Sequence, residues 1–171
     1  MPRIHLTSCI HAPAERVFDL SRSTSVHKAV LRTYRNGRLD GATDGIIGLQ
    51  DKMTFSLTFM GRQRVVVTRI EEITPPTEMT SSLVKGRGSF DSLRHEQHFK
   101  SISNGTLLID LLDYEVAYGG LGRILDKLLI KKFLKKYLEQ KNGVIKQYAE
   151  SDKWKVALAP RTGSPQVQKP V

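Results

Sequence analysis

The sequence predicts an α+β fold: a curved antiparallel sheet of about seven strands wrapped around one long C-terminal helix, with two short helices after the first strand. Three observations predict it. Residues 50–118 run as strand after strand, with apolar and polar positions alternating between turn dipeptides. Residues 121–151 are dominated by Leu, Ile, Lys and Glu and hold no proline, which is the composition of a helix. The helical stretches flank the strand run and do not interrupt it, so the helices gather on one face of the sheet.

Residues 3–11 alternate, with Ile4, Leu6, Ser8 and Ile10 on one side and His5, Thr7 and Cys9 on the other, as a strand requires. Ala12-Pro13-Ala14-Glu15 opens a short helix, because proline suits a first turn and Glu15 sits near the positive end of the helix dipole. Ser23-Thr24-Ser25 can cap a second helix through Val26, Ala29 and Val30. Asn36-Gly37 and Asp40-Gly41 are turns, and the glycine-rich residues 41–48 read as irregular. Met53, Phe55, Leu57 and Phe59 share one face of a strand; Met60-Gly61-Arg62-Gln63 turns it back into Val65, Val66, Val67 and Ile70. Thr74-Pro75-Pro76-Thr77 ends that strand, residues 78–84 form the next, and Lys85-Gly86-Arg87-Gly88 turns again. Residues 90–102 and 106–118 form a long hairpin around Asn104-Gly105. In the last helix Leu121, Ile124, Leu125 and Leu128 lie on one side, and Ile130, Phe133, Leu134, Tyr137, Leu138, Ile145 and Tyr148 on the other. At about 100° per residue the apolar stripe jumps near Leu129, which predicts a kink or a short helix before a longer one.

A chain of 171 residues with 39% hydrophobic and 26% charged residues is ordinary for one globular domain; it should bury about 70% of its unfolded surface without a disulfide or metal staple. Residues 1–155 are read as that domain and residues 156–171, with three prolines, as a loose tail. The single cysteine, Cys9, is read as a small packing residue; it excludes an intrachain disulfide and points to a reducing compartment. No apolar run reaches the roughly 20 residues of a membrane span, and residues 1–20 hold no signal-peptide core. A cytoplasmic location is therefore expected. The net charge of +10 is uneven. Residues 1–122 carry 15 Lys+Arg against 13 Asp+Glu, whereas residues 123–171 carry 12 against 4. Lys132, Lys135, Lys136 and Lys146 fall opposite the apolar side of the helix, so they read as a water-facing surface. Lysines without interleaved aromatics argue against specific nucleic-acid binding. A weak contact with an anionic membrane through Lys132, Lys135 and Lys136 fits them.

The chemistry-bearing residues lie on the long hairpin. Strand parity puts Leu93, His95, Gln97 and Phe99 on one face, with Leu108, Asp110, Leu112, Tyr114, Val116 and Tyr118 on the same face of the next strand. Pairing around the turn sets His95 opposite Tyr114 and Phe99 opposite Asp110, to within a residue or two. A curved sheet gripping an amphipathic helix leaves a space between them, and apolar walls with a few orienting polar groups make a small-molecule site. The candidate ligand-binding residues are Phe55, Leu93, His95, Gln97, Phe99, Asp110, Leu112 and Tyr114. His95 held by a carboxylate or phenol could act as a general base, with Asp110 or Tyr114 as its partner; the same groups could simply satisfy each other and tie the sheet together. His95 and His98, three apart on a strand, point to opposite faces, so no metal site is expected. No cofactor is called for: GxSxG, Walker A and GxGxxG patterns are all missing from the sequence.

Several of these segments together resemble a family. They are Ala12-Pro13-Ala14-Glu15-Arg16-Val17-Phe18 after a first strand, Gly48 to Phe55 (GLQDKMTF), Lys85-Gly86 with Phe90, the strand Leu93-Arg94-His95-Glu96-Gln97-His98-Phe99, Gly105-Thr106 to Asp110, Tyr114, and Tyr118-Gly119-Gly120-Leu121-Gly122-Arg123. Over residues 3–152 their order is similar to that of the START-like superfamily (polyketide cyclase/dehydrase and lipid transport, also SRPBCC), in a bacterial subgroup. The resemblance implies a helix-grip fold, as in the birch pollen allergen, with a deep cavity between sheet and C-terminal helix. It implies binding, or transport, of a hydrophobic small molecule or lipid. A minority of such proteins are cyclases or other enzymes, and here that alternative would use His95 with Asp110 or Tyr114 as acid/base groups.

Overall fold

The computed structural model describes residues 2–41, 45–59, 61–84, 90–116 and 123–159, with the side chains of 123–127 excepted. The chain runs β1 (Arg3–Ile10), α1 (Ala14–Ser21), α2 (Thr24–Leu31), β2 (Arg38–Asp40), β3 (Lys52–Phe59), β4 (Arg62–Thr74), β5 (Glu78–Leu83), β6 (Phe90–Ile102), β7 (Gly105–Val116), α3 (Arg123–Ala149) and α4 (Lys153–Ala157). The strands form one antiparallel sheet in the order β1-β7-β6-β5-β4-β3-β2. The first strand thus closes onto the last, and α1, α2 and β1 all pack on α3. This is the α+β arrangement expected.

Alternation decides which face is covered. Along β7 every even residue from Thr106 to Tyr114 is buried while the odd ones are half-buried, because the even face lies towards α3. The core has two parts. One joins Ile10, Val17, Phe18, Leu20, Val26, Phe99, Leu108, Ile145 and Ala149 at the end covered by α1 and α2. The other joins Ile4, Leu112, Tyr114, Ile130, Leu134 and Leu138 under the first half of α3. Phe18 meets Phe99 edge-on at 5.1 Å between ring centroids, which locks α1 to β6.

Four expectations are corrected. The long hairpin pairs Ile102 with Gly105, so His95 stands opposite Leu112, and Phe99 opposite Leu108. Gly105 is already the first paired residue, which shifts the register by two; an even shift keeps every side chain on its expected face. The last helix is continuous over Arg123–Ala149 without a break near Leu129. Leu128 and Leu129 are exposed, so apolar residues at the jump in the stripe stand on the water side. Ser23 precedes α2 without a side-chain cap; its hydroxyl donates to the Ala157 carbonyl at 3.0 Å and ties α2 to α4. Cys9 is exposed on the outer face of β1 and packs into no core. Two short elements, β2 and α4, were not expected. The anticipated boundary at residue 155 falls inside α4, whose Ala157 is buried, while Arg16 stacks over the Trp154 ring at 4.3 Å. The turn at 85–88, Tyr118, the 121–125 part of the apolar stripe and the tail from Pro160 lie outside the described residues.

Candidate functional site

Between the concave face of the sheet and α3 lies a cavity of about 410 Å³. That is within the range of small-molecule sites. Its wall is largely apolar: Met53, Phe55, Leu57 and Phe59 come from β3, Leu93 from β6, and Ile130, Phe133, Leu134 and Leu138 from α3. The alternation of β3 supplies its four from one face, and the i, i+3, i+4 spacing of α3 supplies the others.

The polar groups gather where β6 and β7 pass under the middle of α3. His95 Nε2 lies 2.8 Å from Asp110 Oδ1, and Gln97 Nε2 donates to the same oxygen at 2.9 Å. Asn142 Nδ2 donates to Asp110 Oδ2 at 2.7 Å and also reaches Ser8 Oγ at 3.0 Å. Gln97 Oε1 in turn accepts from Lys141 Nζ at 3.1 Å. One carboxylate, itself 0% exposed, therefore organises donors from both hairpin strands and from the helix. Burial pushes its pKa up, but the His95 bond, the charge on Lys141 and the Asn142 bond outweigh that and hold it below the ordinary carboxylate range. Asp110 is thus ionised at neutral pH. Burial also lowers the His95 pKa against the pull of Asp110, so the imidazole is neutral. With Nε2–H committed to Asp110, its Nδ1 is left as a hydrogen-bond acceptor.

Lys141 is 3% exposed. Loss of hydration lowers its pKa to about 8, with Asp110 opposing that shift. Its one side-chain hydrogen bond among the described residues is to Gln97. His27, 4% exposed, reaches the cavity from α2. Its Nε2 donates to the Ser21 carbonyl at 3.1 Å, and its buried Nδ1 has no partner. Burial, followed by the charge of Lys141, lowers its pKa to about 3, so it too is neutral. Thr68 Oγ1, also on the wall, is a second buried atom without a partner.

Of the expected site residues, Phe55, Leu93, His95, Gln97 and Leu112 line the cavity. Phe99, Asp110 and Tyr114 do not. Phe99 lies on the same face further along, where Phe18 covers it. Tyr114 is packed beneath α3 with Ile4, Ile130 and Leu134, and its ring meets Phe90, not His95. Asp110 is sealed behind His95, Gln97 and Asn142. Sequence reasoning missed His27, Lys141 and Asn142. A signal existed for Lys141: it falls seven residues after Leu134 and four after Tyr137, on the stripe that the other apolar residues assign to the core. His98 points away from this site towards Glu78, at 3.4 Å. Among the described residues no group of three or more His, Cys, Asp or Glu side chains is placed to hold a metal.

No family model matches the chain, and no curated protein matches it in sequence. Solved structures do match its fold. The Zhui aromatase/cyclase from a Streptomyces species superposes with a TM-score of 0.72 at 11% identity, over 87% of this chain and 93% of that one. A protein from Thermus thermophilus gives 0.68 at 20% identity, over 88% of this chain and all, 100%, of that one. A major latex-like protein from Panax ginseng gives 0.62 at 14% identity, over 88% and 98%. These neighbours are START-like helix-grip proteins, and the chain shares their fold.

Proposed function

We propose that this helix-grip chain holds a hydrophobic small molecule or lipid in the cavity between its sheet and α3. The observation that supports this most is the cavity itself: about 410 Å³ of space, walled mainly by apolar side chains and furnished with a few polar groups at one place. A wall built only for stability would have closed on this space, since an unfilled apolar cavity costs stability in proportion to its volume. Native mass spectrometry of the purified protein tests the reading, followed by organic extraction of whatever it carries. The expected result is an added mass that extraction removes; protein that stays at its bare mass after incubation with long-chain fatty acids and alcohols would sink the idea.

A second reading, a cyclase/dehydrase-type enzyme, is supported by the His95–Asp110 contact at 2.8 Å with His95 on the cavity wall. In it, His95 Nδ1 takes a proton from the ligand and Asp110 orients the ring and stabilises the imidazolium that forms. Tyr114 has no part in this, because it lies outside the cavity. Transfer of the ligand to or from an anionic membrane, through the exposed Lys132, Lys135 and Lys136, would suit a lipid carrier.

A further inference from the structure

Among the described residues the cavity is lined by cationic side chains and by no anionic one. Lys141, Arg62, Arg64 and Arg22 line it with the two neutral histidines, and among the described residues no Asp or Glu lines it. Arg22 is already paired with Asp19 at 2.5 Å. Asp110, the nearest anion, has both oxygens engaged by His95, Gln97 and Asn142 and is sealed from the cavity. The Lys141 ammonium, with three N–H donors, bonds to Gln97 alone among the described residues. His27 Nδ1 is buried without any donor. A buried cation with unused donors fits a group that carries negative charge and accepts hydrogen bonds.

Resting on the ligand-binding reading above, we propose that the ligand is a hydrophobic acid, an apolar body with one carboxyl group, and that Lys141 receives the carboxyl while Phe59, Leu93, Ile130 and Phe133 hold the body. The carboxylate accepts from Lys141 Nζ, whose two other N–H donors have no partner among the described residues. Arg62, exposed at the wall, adds attraction for an approaching anion. A cationic amphiphile would instead bring a second positive charge against Lys141 in a desolvated space, so it is rejected.

The test compares three probes of one chain length below their micellar concentrations: dodecanoic acid, 1-dodecanol and dodecylamine, by titration calorimetry at pH 7. The acid is expected to bind at least about tenfold more tightly than the alcohol, the ratio that a hydrogen-bonded charge brings, and the amine more weakly than both. In Lys141→Met the acid-to-alcohol ratio should fall to about one. If Lys141→Met does not fold, the wild-type pH series decides. The groups facing Lys141 are Gln97, His95 and Asp110 from the sheet, His27 from α2 and Tyr137 from its own helix. Above pH 7 the histidines stay neutral, Asp110 stays ionised, and burial raises the Tyr137 pKa beyond its ordinary value. Lys141 alone loses charge near pH 8, so the preference for the acid should shrink between pH 7 and 9.5. Equal binding of acid and alcohol, or preference for the amine, overturns the acid ligand and leaves the cavity reading standing. If none of the three binds, the cavity reading fails as well.

Discussion

At the scale of the residue, the site depends on groups whose charge states are set by burial. His27 illustrates the consequence for stability. Its folded pKa, about 3, lies below the 6.5 of an unfolded histidine. Between those values the unfolded chain therefore binds the proton that the folded chain refuses, and stability falls as pH falls through that window. His95 shifts in the same direction. Asp110, whose carboxyl is also held below its usual range, adds to the loss only from around the ordinary carboxylate pKa of 3.8 downwards, at the acid end of this window. We predict that urea unfolding at pH 7 and pH 4.5 shows a marked loss of stability at the lower value, and that His27→Gln shrinks the difference. An unchanged difference would mean that His27 does not carry it. The face on which His95, Gln97 and Asp110 lie was legible in the sequence, since period-2 alternation survives any even error in register. Alternation left the partner of His95 open between Asp110 and Tyr114. Asp110 touches His95 diagonally, and Lys141 joins through Gln97, contacts between residues 15 and 44 positions apart.

At the scale of the element, the hairpin between β6 and β7 sets the site, and its turn carries one residue that permits no substitute. Gly105 has φ +142°, and a Cβ there would meet the Ile10 carbonyl oxygen at 2.1 Å and the His11 Cα at 2.9 Å. Both are backbone atoms at the end of β1, so nothing nearby can swing aside. Gly105→Ala should destabilise the protein by more than about 1 kcal/mol and push β1 away from β7, which urea unfolding and amide exchange along β1 would reveal. Wild-type stability in that variant would disprove the account. The strands and the two short helices were readable from alternation, from proline at the start of α1 and from the turn dipeptides. β2 and α4 were not, because a three-residue strand and a five-residue helix are too short to show a period and exist only through the partners that hold them. For β2 the partner is β3, and for α4 it is the Ser23–Ala157 bond and the Arg16–Trp154 stack.

At the scale of the whole molecule, the basic excess separates into two parts with different physics. Lys132, Lys135 and Lys136 are exposed on α3, Lys135 pairing with Glu139 at 3.7 Å, and Leu128 and Leu129 are exposed one turn before them. An anionic bilayer would attract such lysines by about 1 kcal/mol each. We predict that the protein sediments with phosphatidylserine vesicles, and that changing the three lysines to Glu abolishes this without affecting its weaker binding to neutral vesicles. Sedimentation that survives the change would rule out this face. No helix among the described residues is long and apolar enough to cross a membrane. Lys141 belongs to the other part, turned inward on the same helix. The sequence by itself determined the α+β class, the strand faces, the apolar side of the long helix and the location of the charge, because each follows from a local period or a composition. Only the tertiary structure decided how large the space between the sheet and α3 is, that Asp110 is sealed behind it and that Lys141 lines it. Those facts depend on how far two surfaces are held from each other, and no local pattern along the chain encodes that distance.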